Sequence, residues 1–200
     1  MKDPCWLNRR VADYLEEYRK AQEQLVGLST TPSELHWKPP PQNMFKLNFD
    51  AAVFTKQQSS GIGAIIRHAQ GEVMAGMSAK GPYVRNSEEA EALACRNAVV
   101  FAMEAVFSEL VIEGYNSTVM RAISSLSCHN SLLGHIYEDI CAYLNGMQHV
   151  SISCIKRGGN MAAYSLAMYA KNIIDVIYWV EDSLPLAVEA LYQDSLHIIE

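Results

Sequence analysis

Phe45, Leu47 and Phe49 alternate with Lys46, Asn48 and Asp50, a period of two that predicts a half-buried strand with a carboxylate towards its end. Gly61 to Ala69 reads as a second strand, and Gln70-Gly71 as the turn into a third, Glu72 to Ala79, so the three form an antiparallel meander. The period then becomes helical. Asn86 stands as N-cap with Glu89 three residues on, a capping-box arrangement, and Ala90, Leu93, Ala94, Ala98, Phe101 and Ala102 step through to about Phe107. Leu110-Val111-Ile112 is a buried strand, a short helix follows near Ser117–Ser125, and Leu132, Ile136, Ile140 and Leu144 mark another. Gln148–Ile155 reads as a fifth strand, and Gly158-Gly159 breaks the chain before a last helix, Asn160 to about Val176. The order βββαβααβα predicts an α/β fold, a mixed five-stranded sheet flanked by helices.

Either side of this pattern the chain changes character. Residues 8–26 carry Val11, Tyr14, Leu15 and Tyr18 at helical spacing, with Glu16, Glu17, Arg19, Lys20 and Glu23 on the other face, and so predict an amphipathic helix. Ser29-Thr30-Thr31-Pro32 and Trp37-Lys38-Pro39-Pro40-Pro41 favour an extended backbone leading into the domain. The expected division is a helix and linker over 1–36, the α/β domain over 37–178, and a helical tail over 179–200.

Half the residues are hydrophobic and 19% are charged, which suits a globular domain and excludes a disordered chain. A formal charge of −6 argues against a surface built mainly to hold nucleic acid, although it leaves room for a local basic strip. Cys5, Cys95, Cys128, Cys141 and Cys154 are scattered and show no C-x-x-C pair. With no secretory h-region at the start, this predicts free thiols in a reducing compartment. No apolar run approaches the roughly 18 residues of a membrane span, so the expectation is a soluble, intracellular protein of nucleus or cytoplasm that makes no membrane contact.

Several short motifs fall in a fixed order: Trp37…Pro39-Pro40, Lys46-Leu47-Asn48-Phe49-Asp50, Gly61-Ile62-Gly63-Ala64-Ile65-Ile66-Arg67, Gly71, Glu91-Ala92-Leu93-Ala94, Ile112-Glu113-Gly114 and Arg157…Asn160…Ala163…Leu166-Ala167. Together they resemble the ribonuclease H domain of plant non-LTR retroelement-derived proteins, over about Trp37 to Ala170. Trp179…Glu181-Asp182…Pro185 also resembles extensions found on such proteins. The resemblance implies hydrolysis of the RNA strand of an RNA–DNA hybrid by two Mg²⁺ ions about 4 Å apart, one activating water and the other stabilising the leaving oxygen. Mg²⁺ takes hard oxygen ligands, so carboxylates must converge from rigid elements. The family supplies an Asp on the first strand, a Glu on the first helix, an Asp ending the fourth strand, and an Asp or His in the last helix.

Carried over, Asp50 and Glu91 match the first two as catalytic and metal-binding residues, although Ala51 replaces the usual following Gly. The third and fourth positions depart. Glu113-Gly114-Tyr115 puts a phenol where the family has Asp, and the downstream residues keep register, so no insertion hides a displaced carboxylate. Tyr164 stands where Asp or His is usual. Glu113 shares strand parity with position 115 and is a substitute candidate, but lies about 7 Å further back along the strand. Lys46, Asn48, Arg67, Arg157 and Asn160 are the candidate substrate contacts, with Arg85 and Lys156 as further cations of a phosphate-contacting groove; for each cation a solvated surface charge is the alternative. Losing one carboxylate beside a divalent ion forfeits about 2–8 kcal/mol of attraction.

The expectation is therefore a ribonuclease H-type endonuclease fold with weak or lost activity, its Mg²⁺ binding undercut by the two phenols. A catalytically silent module that binds hybrid, or a domain that now contacts protein through its N-terminal helix or the Leu184–Ile199 tail, are the alternatives. Other motifs carry less. Cys128-His129 lacks a third group, His135 and His149 sit on amphipathic elements, and Gly61-x-Gly63 without a third glycine reads as close strand packing.

Overall fold

A computed structural model of the chain describes residues 36–125, 132–180, 184 and 186–198. The chain divides into two compact units, Met1–Glu34 and Leu35–Glu200. The first, with the helix expected over 8–26, lies outside the described residues, as do Cys128-His129, Glu181-Asp182 and Pro185.

The alternating stretch forms β1 (Phe45–Phe54), which runs into a 3-10 turn at Thr55–Gln57 and returns as β2 (Ser59–Arg67). The two pair antiparallel from Lys46 opposite Arg67 to Phe54 opposite Ser59. A tight turn leads to β3 (Val73–Gly81), with the Gly71 N–H donating to the His68 carbonyl at 2.9 Å. Gly71 has φ +84°, and a Cβ there would press on Ile198 and Trp37, so this turn needs glycine on both counts.

α1 (Ser87–Glu104) crosses over to β4 (Glu109–Gly114), which lies parallel to β1 with Phe49 opposite Gly114. Asn86 caps α1 as expected, accepting the Glu89 N–H at 2.8 Å. The Glu89 carboxylate reaches one residue further than a capping box requires and accepts from the Arg85 N–H at 2.7 Å. Ala90, Ala92, Ala94, Ala98 and Ala102 are buried, and such small side chains let α1 lie close on the sheet.

α2 (Ser117–Ser125) and α3 (Gly134–Asn145) lead to β5 (His149–Cys154), parallel to β4. A 3-10 turn at Arg157–Asn160 opens α4 (Met161–Tyr169), which ends well before Val176 in another such turn, Ala170–Asn172. The five strands expected gain a sixth. The sheet has six strands in the order β5-β4-β1-β2-β3-β6, because β6 (Ile177–Val180) adds antiparallel to β3. Then α5 (Val188–Ser195) closes the described chain.

One core packs Leu47, Phe49, Ile62, Ile66, Leu110 and Ile112 of the sheet against α1 and α3. Another packs Ile65 against Ala163 and Leu166 of α4 and against Leu184 and Ala187. Close approach of α4 depends on β2. A Cβ on Gly63 would run into the Ala163 carbonyl and the Ala167 amide, and one on Gly61 into the Ala167 carbonyl. No described helix is long and apolar enough to cross a membrane.

Candidate active site

β1 carries Asp50 to a point between α1 and α4, where it is 6% exposed; Glu91, one turn into α1, is 7% exposed. The two carboxyl groups lie close enough for the charge of Asp50 to act on Glu91. The Ala51 N–H donates to Asp50 Oδ1 at 2.8 Å, and Asn160 Nδ2 donates to Asp50 Oδ2 and to the Phe49 carbonyl, each at 2.9 Å. Asn160, 1% exposed at the start of α4, thus fixes the middle of β1 against that helix.

Burial out of water disfavours the charged form of both acids. It pushes Asp50 up to about 6, against the opposing pull of the Ala51 N–H, Asn160 and the Arg157 charge. Glu91 is pushed further, to about 9, by burial first and then by the charge of Asp50. Burial and the mutual repulsion of the two carboxylates thus both oppose full ionisation of the pair. Glu91 Oε2 and Asn160 Oδ1 are buried without a protein partner.

Tyr115 follows β4 directly and is half-buried, with the Arg157 guanidinium 5.0 Å from its ring centroid. This is a cation–π arrangement on the exposed side of the site. Tyr164 lies on α4, also half-buried, one turn beyond Asn160.

Glu113 is elsewhere engaged. Lys46 Nζ binds its Oε1 at 2.7 Å, Ser153 Oγ donates to the same oxygen at 2.9 Å, and Asn48 Nδ2 donates to Oε2 at 3.2 Å. With both oxygens held by three donors, Glu113 belongs to a polar cluster further back along β1 and not to the Asp50–Glu91 pair. Among the described residues, no group of three or more His, Cys, Asp or Glu side chains converges as a metal site would require.

The candidate phosphate contacts separate in the same way. Arg157 and Arg85 are exposed and Lys156 is half-buried. Lys46 and Arg67, expected on a phosphate-contacting groove, are instead 5% and 1% exposed. Lys46 is paired with Glu113, and Arg67 Nη1 binds Asp194 Oδ2 of α5 at 2.7 Å. Asn48 is fully buried and joins these pairs, its Oδ1 accepting from Trp37 Nε1 at 2.8 Å and from Arg67 Nη2 at 3.1 Å. The physical reason is desolvation: a buried cation persists only where carboxylates and hydrogen bonds compensate it. Sequence reasoning missed this cluster, because Asp194 lies 127 residues from its partner in a helix whose sequence shows only amphipathic spacing. His135 and His149 are exposed, as surface histidines.

No curated protein sequence matches the chain. Solved structures do, at identities that speak for the fold alone. RNase H1 from the halophilic archaeon Halobacterium salinarum is 20% identical, with a TM-score of 0.59, and the match spans 65% of this chain and 98% of that one. The N-terminal RNase H domain of rv2228c from Mycobacterium tuberculosis is 16% identical with a TM-score of 0.57, over 64% of this chain and 94% of that one. LC11-RNase H1, a compost metagenome protein solved in complex with RNA/DNA hybrid, is 18% identical with a TM-score of 0.52, over 64% and 96%. Residues 48–170, from Asn48 of the buried cluster to the end of α4, match the model of one family, and the chain belongs to that reverse transcriptase-like family, with a ribonuclease H-like fold.

Proposed function

We propose that this chain is a ribonuclease H-type domain that engages nucleic acid of the RNA–DNA hybrid kind while its two-metal hydrolysis is weak or lost. The observation that carries this reading is the donor set around Asp50. Among the described residues only Glu91 joins Asp50 as a second carboxylate, and burial favours the uncharged form of both. Tyr115 and Tyr164 offer phenols in place of the carboxylates that Mg²⁺ prefers. Glu113 is held by Lys46, Asn48 and Ser153. These residues do not fit the pair of Mg²⁺ ions that the fold's nucleases imply. What the chain's own residues offer is binding: Arg157 and Lys156 beside the site carry charge to a phosphate, and Asn160 holds the middle of β1 in place.

A domain that contacts protein is the second reading. The burial of Lys46 and Arg67 favours it, because it removes two expected phosphate contacts. Fluorescence anisotropy of a labelled hybrid, with the same samples run on a denaturing gel, separates the readings. Salt-dependent binding with the hybrid left intact in Mg²⁺ supports the proposal. Rapid cleavage contradicts the loss of activity, and an absence of binding at low salt supports the protein-contact reading.

A further inference from the structure

Charge is unevenly placed along this chain. Its 22 acidic residues outnumber 16 lysines and arginines, yet Gly114 to Ser125 and His149 to Asn172 contain no aspartate or glutamate. These two stretches supply the end of β4, α2, β5 and the turn into α4, and they carry Arg121, Lys156, Arg157 and Lys171. The first three gather about Tyr115. The Arg157 guanidinium lies 5.0 Å from the Tyr115 ring centroid. Cys154 ends β5, its thiol donates to the Tyr115 carbonyl at 3.5 Å, and it lies within reach of the charges of both Lys156 and Arg121. Arg121 and Arg157 are exposed and Lys156 is half-buried. The nearby carboxyls of Asp50, Glu91 and Glu113 are buried, and Glu113 is matched by Lys46. A chain acidic as a whole thus presents cations at this one end of the sheet, with an aromatic ring among them.

We infer that Arg157, seated on the Tyr115 ring, is a stacking platform for an unpaired nucleotide adjoining the hybrid, with Lys156 and Arg121 taking the flanking phosphates. This rests on the nucleic-acid reading above and narrows it to a junction between paired and single strand. In a duplex the bases cover one another's faces, and a groove-side residue meets sugar and phosphate; an unpaired base offers its face to an aromatic ring or a guanidinium plane. A phosphate needs only a cation, for which lysine serves. A guanidinium held against an aromatic ring offers more, because its plane stacks while its charge attracts. Arg157 is exposed beyond the ring that supports it, so that plane is open to a ligand. Such stacking tolerates any base, since every base has a π-face. The phenol at position 115 is a poor metal ligand, but its ring is what holds the guanidinium in place.

Fluorescence anisotropy on the full chain, in EDTA so that the probes stay whole, compares a blunt RNA–DNA hybrid with the same hybrid carrying a short single-stranded RNA extension. The native chain should bind the extended probe about tenfold more tightly, the scale of one stacked base. Tyr115→Phe keeps the ring and should keep that preference within about twofold, whereas Tyr115→Ala should lose it. Arg157→Lys keeps the charge without the plane: it should lose the preference while the salt dependence of binding, which reports charge, stays as in the native chain. Equal binding of the two probes by the native chain overturns the platform and leaves the hybrid reading standing. Binding of neither probe overturns both. A preference that survives in Arg157→Lys also overturns the platform, because charge alone would then account for it.

Discussion

Glu91 holds its proton because folding buries it beside Asp50, and this makes stability depend on pH in a definite direction. A carboxyl whose folded value is raised contributes stability that is complete below its unfolded value, near 4.5, and is lost as pH rises through about 9. Replacing Glu91 with Gln removes the proton uptake and keeps the shape. In metal-free buffer Glu91→Gln should therefore melt close to the native chain near pH 4.5 and several °C above it at pH 8.5, about 2–4 °C for each kcal/mol gained. Thermal melts at the two values check this, and a constant difference would show that Glu91 is not held protonated. The backbone offers a second case. Val106 sits just past α1 at φ +65°, left-handed backbone that a β-branched residue adopts only at a cost. Its N–H caps the Met103 carbonyl, so the strain serves to end the helix. Val106→Gly should stabilise the chain by about 1 kcal/mol in urea unfolding.

The elements divide into those the sequence announces and those it hides. β1 was legible from its alternation and the helices from Asn86 onward from their spacing, β2, buried along its whole length, was legible as an apolar run closed by the Gln70-Gly71 turn, and α2 falls on Ser117–Ser125 as expected. β6 was not legible. Ile177-Tyr178-Trp179-Val180 is four apolar residues in a row, and its alternation appears only in the folded sheet, where positions 177 and 179 are half-buried and 178 and 180 exposed. The end of α4 was misplaced for a similar reason: the sequence after Tyr169 remains apolar enough to continue a helix, but the chain must turn to reach the β3 edge. Gly61-x-Gly63 was legible as close packing, and its cost can be measured. Gly63→Ala should destabilise by about 3 kcal/mol, because the intruding atom meets backbone of α4 and no side chain can swing away. A change below 0.5 kcal/mol would show that α4 is free to retreat.

For the molecule as a whole, the buried polar cluster and the Asp50–Glu91 pair are neighbours on β1, and the sequence distinguished them only in part. Motif order picked out Asp50 and Glu91, and the structure buries them beside one another. Lys46, Asn48, Arg67 and Glu113 lie on or beside the same strand with the same chemistry, yet three-dimensional pairing turns them inward upon one another. That pairing joins the C-terminal helix to the sheet. Asp194→Ala should lower stability by about 3–5 kcal/mol by leaving Arg67 uncompensated, whereas adding Arg67→Met should recover most of it; urea titrations of the single and double variants test this. The proposed loss of activity stands on Tyr115 and Tyr164 occupying positions that divalent ions need filled by charge. Cleavage of a labelled RNA–DNA hybrid in Mg²⁺ by the native chain and by Tyr115→Asp with Tyr164→His puts this to the test. The doubly changed chain should cut at least about tenfold faster, since even about 2 kcal/mol of regained attraction exceeds a factor of ten. Equal rates, with the native chain cutting readily, would contradict it.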